Sequence, residues 1–351
     1  MIYYSTITIM CFVQYFLIRG LPPRISKTTG FLLIVVFATF SGLRGMVGTD
    51  TWQYNHIVGA IGNGTTVALE PGFVFFARVF TSITDNTMLA VNLFSILFFA
   101  FASIYLVQAT RTEAIYLFAF FAPQSFIMYS FNGLRIGLAS ITFILALQYW
   151  RQEKHLVFLG FLALAVAFQY TILLAITVFF LFNKPLTQRK YVLQRLVILF
   201  LVGTVVVLIN DYLFGKIESY SNFERMSSLA GLSYLINFTL FMAFIWRIPI
   251  PTNEIRSKLY LSFGILLAGL LIATHSYAGL RILNIMVWLV PLLFIYSVEN
   301  GKSAGPRFHA GLAIVGFVGS LATLRNIAGS TDFSGTPSPF LPYHFMWETS
   351  F

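Results

Sequence analysis

The sequence predicts an all-α polytopic membrane protein, and three observations carry that reading. Of the 351 residues 58% are hydrophobic and only 10% are charged, against about half and about a quarter in an ordinary soluble domain. The apolar residues come in long uninterrupted runs and not in period-two alternation, which suits helices and not a β-barrel. The few charges fall in short stretches between the runs. A bilayer offers no water to the backbone, so a chain of this kind must satisfy its own peptide groups by forming helices.

A spanning helix needs roughly 20 mostly apolar residues. The candidate spans are 1–18, 29–43, 87–108, 114–131, 134–150, 191–210, 229–247, 259–275, 280–298 and 309–324. The first run has no basic residue before it and no small-residue cleavage pattern after it, so it reads as a retained helix and not a signal peptide. Two segments fit badly. Residues 71–84 are short and carry Arg78, and residues 155–183 are too long for one span and are interrupted at Gln169-Tyr170. The first reads as a re-entrant or interfacial helix, the second as two half-helices. The expected architecture is about 10–12 transmembrane helices, with re-entrant or broken ones forming an outward-facing cavity, because exposed backbone at membrane depth survives only where protein or a water-filled cavity satisfies it. No internal repeat, low-complexity stretch or soluble domain is visible, and residues 1–351 are expected to form a single integral membrane domain. The tail after Arg325 is polar, rich in Pro and Gly and then aromatic, and reads as a segment lying on the headgroups.

The net charge of +10 would suggest nucleic acid in a soluble protein. Here the basic residues sit between apolar runs, as orientation signals do, and no nucleic-acid partner is expected. With the N-terminus outside, most of the 22 basic residues fall inside, leaving Arg44, Arg78, Arg135, Lys216, Arg225, Arg281 and Arg325 outside. Cys11 is the single cysteine, so a disulfide and a cysteine metal site are both excluded. The histidines, His56, His155, His275, His309 and His344, are scattered, and no metal or cofactor is expected. The chain lacks a Walker loop, a dinucleotide glycine motif after a strand, HExxH and GxSxG, which excludes an ATP-driven pump.

What remains is a set of polar residues at the outer ends of apolar runs. "GLRGMVGTDTWQYN", Gly42 to Asn55, follows directly on "FLLIVVFATFS". Arg135 sits in "SFNGLRIGLAS" with Asn132, Gly133 and Gly137, and Arg281 in "THSYAGLRILN" just after His275. A guanidinium near a bilayer is costly and tends to mark function. It also binds phosphate oxygens through a rigid fork and stays charged at any working pH. Three arginines on one outward cavity would suit a diphosphate at the membrane surface. Plainer readings stand beside this one. Arg44, Arg135 and Arg281 could snorkel to headgroups, Gly133 and Gly137 could be helix-packing positions, and His275 could be an interfacial residue. Asp50 could cap a loop, while Trp52 and Tyr54 could belong to an aromatic belt.

Taken in order, these pieces resemble the Wzy-type polysaccharide polymerases, in particular their EpsG-like branch. The resemblance rests on "LRGMVGTDTWQY" (Arg44, Gly48, Asp50, Tyr54), on "LEPGF" (Glu70 to Phe73) and on "FNGLRIGLASITFILAL" (Asn132, Arg135, Ala139). Where the family is expected to carry a histidine before a small-residue helix, this chain has "AFQYTILL", with Gln169 and Tyr170. The resemblance implies glycosyl transfer at the outer face of a bacterial inner membrane. Oligosaccharide units linked to undecaprenyl diphosphate would be polymerised into an O-antigen or exopolysaccharide, without a nucleotide. It also implies membrane lipid, a flippase and a chain-length regulator as partners. On this reading Arg135 and Arg281 hold the diphosphate, Arg44 the diphosphate or the first sugar, and Asp50 or His275 takes the acceptor proton. Tyr54, Trp52 and Asn132 line the sugar site. An O-antigen ligase or another glycosyltransferase with a lipid-linked donor is the nearest alternative, and a transporter of lipid-linked sugars the alternative from another class.

Overall fold

The computed structural model describes residues 1–182, 231–246, 253–274, 277–298, 305–329 and 338–348, with the single residues 196 and 203. The described residues form helices and no strand beyond one isolated bridge, and they group into two compact units. One unit comprises Met1–Tyr170 with Gly316–Phe351, the other Thr171–Val315. Among the described residues six helices are long and apolar enough to cross a membrane. The chain is thus the all-α polytopic membrane protein its sequence predicts. Apart from Leu196 and Gly203, the expected span at 191–210 lies outside the described residues, as does His275.

The first unit is a bundle. Helix α1 (Ile2–Gly20) turns at once into α2 (Pro23–Gly42), with Pro23 at a first-turn position, where its missing N–H costs nothing. The Gln14 side-chain amide donates to the Ser26 carbonyl at 2.6 Å and ties this hairpin together. Two shorter helices follow, α3 (Thr51–Gly62) and α4 (Pro71–Ile83). Helix α5 (Thr87–Gln108) starts at Asn86, whose side chain accepts from the Leu89 N–H. Next come α6 (Arg111–Ile115), a π-helical stretch (Tyr116–Phe121) and α7 (Ala122–Phe131), which together make one span. Helix α8 (Leu134–Arg151) is buried on nearly every side. A helix that is apolar all round belongs in the centre, and this one packs against both α5 and α9 (His155–Phe168).

The two irregular segments are a short helix and a broken run. Residues 71–83 are a short helix. The long run breaks after Phe168, with Gln169 extended at φ −160°, before α10 (Ile172–Phe182) begins. Not foreseen is α3, which turns the residues after Asp50 into a helix that buries Tyr54, Val58 and Ile61.

The ends of the first unit differ in chemistry. At one end Glu113, fully buried, accepts from the Thr110 N–H and hydroxyl in a capping box, from Gln148 and from Arg151, the last at 3.0 Å. Arg111 donates there to the Ile18 and Arg19 carbonyls, and Lys27 to the Val107 carbonyl. The other end gathers the chain reversals at 42–51, 131–135 and 168–170, together with residues 338–348 of the tail.

The second unit contains α10, α11 (Leu232–Trp246), α12 (Asn253–Ala273), α13 (Tyr277–Val298) and the first part of α14 (Pro306–Gly329). Helix α13 is its core, packed against α10, α11 and α12. The remainder of α14 belongs to the first unit, where the Thr323 hydroxyl donates to the Gln124 carbonyl at 3.3 Å.

The reversal between α7 and α8 depends on close backbone approach. A Cβ on Gly137 would lie 2.7 Å from the Tyr129 carbonyl oxygen and 2.6 Å from its Cβ. Gly137→Ala is therefore expected to destabilise the detergent-solubilised protein by about 1–3 kcal/mol, the range for overpacking. Gly160→Ala, where a Cβ meets nothing within 4 Å, should leave the melting temperature level or slightly raised. Melting monitored by fluorescence-detected size exclusion distinguishes the two.

Candidate functional site

Apolar α2 ends at Gly42, and the next residue but one is Arg44. In place of snorkelling, its side chain turns inward and is 0% exposed. Asn92, buried in α5, grips it reciprocally. The Arg44 Nε donates to the Asn92 Oδ1 at 3.2 Å, and the Asn92 Nδ2 donates to the Arg44 carbonyl at 2.8 Å. The guanidinium stacks over the Phe131 ring at 4.8 Å. Among the described residues neither terminal nitrogen has a hydrogen-bond partner. Burial lowers its pKa to about 10, with Tyr343, Tyr4, Tyr54 and Asp50 acting in the opposite direction. At neutral pH it is still a cation. A buried charge ordinarily needs a partner that fills its bonding positions, so Arg44 holds an unmet demand for an anion or for acceptor oxygens.

Gly48 explains why the loop can pass this close. Its φ is +111°, and a Cβ there would sit 2.5 Å from the Asn132 Oδ1. Only glycine meets both conditions cheaply. The Asn132 Nδ2 donates to the Thr49 hydroxyl at 2.8 Å, and the Thr51 hydroxyl donates to the Val47 carbonyl at 2.6 Å. The 44–51 loop is thereby fastened to the α7–α8 reversal. Asp50 stands at the start of α3, half-exposed, and accepts from the Thr49 hydroxyl at 3.1 Å.

Arg135 lies one residue inside α8, 16% exposed, and its Nη1 is 2.6 Å from the Oε2 of Glu70. Glu70 is wholly buried at the start of α4, with Pro71 behind it in the first turn. Gly72 allows this helix start to press on α9, since a Cβ there would fall 2.8 Å from the Ala167 carbonyl oxygen. The Arg135 guanidinium also lies 5.9 Å from the Phe73 ring centre. Tyr54 joins the two arginines, being within electrostatic reach of Arg44 and in ring contact with Phe73 at 5.7 Å. Tyr170, at the break after α9, senses the Glu70 carboxylate.

The structure thus brings together Arg44, Asp50, Tyr54, Asn132 and Arg135. Trp52 points away. It is two residues from Tyr54, hence on the opposite side of α3, and it is 64% exposed with its ring against His56 at 4.1 Å. Arg281 is a half-buried residue of α13 in the second unit. Among the described residues no group of His, Cys, Asp and Glu could hold a metal ion.

The residues that hold the arginines were given no role by sequence reasoning, Glu70 appearing there only as part of a motif and Asn92 not at all. Glu70 was visible as an acid directly before a helix-starting proline, and Asn92 as a lone amide in the apolar run "MLAVNLFSILFF". The tail gave no such signal. It does not lie apart from the unit but crosses the 43–48 loop in an antiparallel bridge between Arg44 and Phe345. The Gly45 N–H donates to the His344 carbonyl at 2.8 Å and the Met346 N–H to the Leu43 carbonyl at 2.9 Å.

The model of the EpsG family matches residues 27–345. The chain belongs to the EpsG family. The match spans the 43–55 loop, the Glu70 helix start, Arg135 and all but the end of the tail crossing. No curated protein and no solved structure matches the chain. Family membership points to a polysaccharide-polymerase type of membrane protein with a glycosyltransferase-like role.

The pair of Arg135 and Glu70 yields a stability prediction. Arg135→Ala removes a positive charge 2.6 Å from a fully buried carboxylate and should cost about 3–5 kcal/mol. The double variant Arg135→Gln/Glu70→Gln, which leaves no charge behind, should recover most of that in a thermal melt. Equal melting of the single and double variants would show that the pair does not control stability here.

Proposed function

We propose that this EpsG-family chain polymerises oligosaccharide units carried on undecaprenyl diphosphate, on the outward face of a bacterial inner membrane. The observation that carries the reading is the pair of held arginines at one end of the first unit. Arg44 is fixed by Asn92 and Arg135 by Glu70, with the Tyr54 and Phe73 rings between them. Two fixed cations suit a leaving group that develops negative charge, since preorganised charge costs no reorganisation at the moment of reaction.

In the proposed step an acceptor sugar hydroxyl attacks the anomeric carbon of the growing chain. The bond from that carbon to the diphosphate oxygen breaks, and its electron pair leaves with undecaprenyl diphosphate. The hydroxyl proton passes to a base. Asp50 fits that role among the described residues, because its carboxylate is half-exposed and lies within electrostatic reach of Arg44; His275 remains the other candidate. Arg44 and Arg135 hold the diphosphate, while Tyr54 and Asn132 face the sugars. Trp52, on the outside of α3, has the exposure of a residue that meets lipid headgroups or the emerging glycan. The whole chain acts as one membrane domain, supplied by a flippase and regulated for chain length by a partner.

The test is purified protein in lipid with lipid-linked repeat units. The wild type should give a polymer ladder on a gel. Arg135→Lys and Arg44→Lys, folded and expressed at matched levels, should lose at least tenfold in ladder yield, because lysine lacks the two-pronged donor geometry. Transfer to lipid A–core in place of a ladder would make the chain a ligase. Movement of the lipid-linked unit without bond formation would make it a transporter. Full activity of both lysine variants would remove bidentate phosphate binding from the mechanism.

A further inference from the structure

The guanidinium proposed to bind the diphosphate cannot be reached as it stands. Arg44 is 0% exposed, and its two terminal nitrogens are sealed without a hydrogen-bond partner among the described residues. Most of what surrounds it is carried on helices: Tyr4 on α1, Asn92 on α5, Phe131 at the end of α7, Tyr54 on α3. The exception is the strap of residues 338–348, which has no helix of its own.

The strap is fastened by main-chain bonds, phenol hydroxyls and ring contacts, and by the Ser338 hydroxyl, which donates to the Ile327 carbonyl. Three main-chain bonds attach it to the loop: Gly45 N–H to the His344 carbonyl at 2.8 Å, Met346 N–H to the Leu43 carbonyl at 2.9 Å and Gly48 N–H to the Pro339 carbonyl at 2.9 Å. Two phenols add to these. The Tyr343 hydroxyl donates to the Phe40 carbonyl at 2.6 Å, and the Tyr4 hydroxyl donates to the Phe340 carbonyl at 2.8 Å. The Tyr343 ring stacks on Phe40 at 4.2 Å. Tyr343 also lies within electrostatic reach of Arg44. It is a neutral phenol, since burial raises its pKa, so it offers Arg44 a dipole and not a counter-charge.

We propose that residues 338–348 are a lid, closed in this structure, which opens to admit the anionic diphosphate head to Arg44. The proposal rests on the reading of Arg44 as a diphosphate ligand. The closed state seals a cation whose bonding positions are unfilled, and an entering diphosphate supplies the oxygens they lack. A ligand that interacts only with the open state shifts the population toward it. The same closure keeps water and small ions from the arginine between turnovers.

The test is a lock. Leu43 and Met346 oppose each other across the Arg44–Phe345 bridge, in a pairing whose Cα separation of about 5.5 Å lies within the range a disulfide spans. The double variant Leu43→Cys/Met346→Cys is prepared oxidised and reduced, the bond being confirmed by mass, and undecaprenyl diphosphate binding is measured in detergent. The reduced form should bind as the wild type does, and the oxidised form at least tenfold more weakly. Equal binding by the two forms overturns the lid. Arg44→Ala in the same assay separates the two readings: if it weakens binding while the lock does not, Arg44 is the ligand and the strap is not a lid; if it binds as the wild type does, the assignment of Arg44 itself fails. A second measurement needs no disulfide. Ser338 is a buried strap residue, and Cys11, the one native cysteine, is itself buried and serves as the blank. Maleimide labelling of Ser338→Cys should quicken at least several-fold when undecaprenyl diphosphate is added, and not in the Arg44→Ala background. A rate unchanged or slowed by the ligand overturns the proposal.

Discussion

The structure of the first unit turns on one costly placement, a guanidinium buried at the end of an apolar helix with both terminal nitrogens unpartnered among the described residues. Taking such a group out of water costs several kcal/mol even after local relaxation. The surroundings compensate only in part, with one amide and one aromatic face. Much else follows from holding it there. Gly48 must be glycine so that the loop can turn beneath Asn132, α5 must carry Asn92 in an apolar run, and the tail must return to the loop to close the site.

The two arginines of this end are treated differently. Arg135 meets a full counter-charge at 2.6 Å, so together with Glu70 it is close to neutral and presents a direction more than a net charge. Arg44 has no such neighbour; Asp50 is only within electrostatic reach. On the proposed reading the ligand is a diphosphate with several negative charges, and two bare cations beside each other would repel before it arrived. Pairing one arginine and leaving the other unpaired lowers that repulsion while keeping a cation for the ligand. The division also separates roles, with Glu70 restricting Arg135 to one orientation and Arg44 supplying the electrostatic attraction.

Much of this was legible in the residues. Continuous apolar runs and sparse charge established the helical membrane class, and the interruption at Gln169-Tyr170 and the short run at 71–83 became a helix break and a short helix. Arg44, Asp50, Asn132 and Arg135 could be singled out because each interrupts an apolar context. Less legible were the interactions that cross the chain. Glu70 is 65 positions from Arg135, Asn92 is 48 from Arg44, and Tyr343 is 303 from Phe40. Periodicity reports what a residue does within its own element, and nothing in it pairs residues this distant. Trp52 and Tyr54 fall together in the sequence, yet helix α3 sends them to opposite sides, a separation that depends on knowing the segment is helical.

A comparison within the same unit separates stability from function more sharply than residue type does. At the opposite end Glu113 is as buried as Arg44, but it is satisfied by a capping box, an amide and Arg151. Arg111 and Lys27 there cap carbonyls left open at helix ends. Such groups repay their burial within the fold, as helix termini require. At the Arg44 end the chain breaks its helices at 131–134 and after 168, admits a left-handed glycine and leaves two buried donors unused. Both ends carry arginine and glutamate, so composition does not distinguish them. The difference lies in the buried charge itself, since Glu113 is met by partners within the fold while the two terminal nitrogens of Arg44 have none among the described residues.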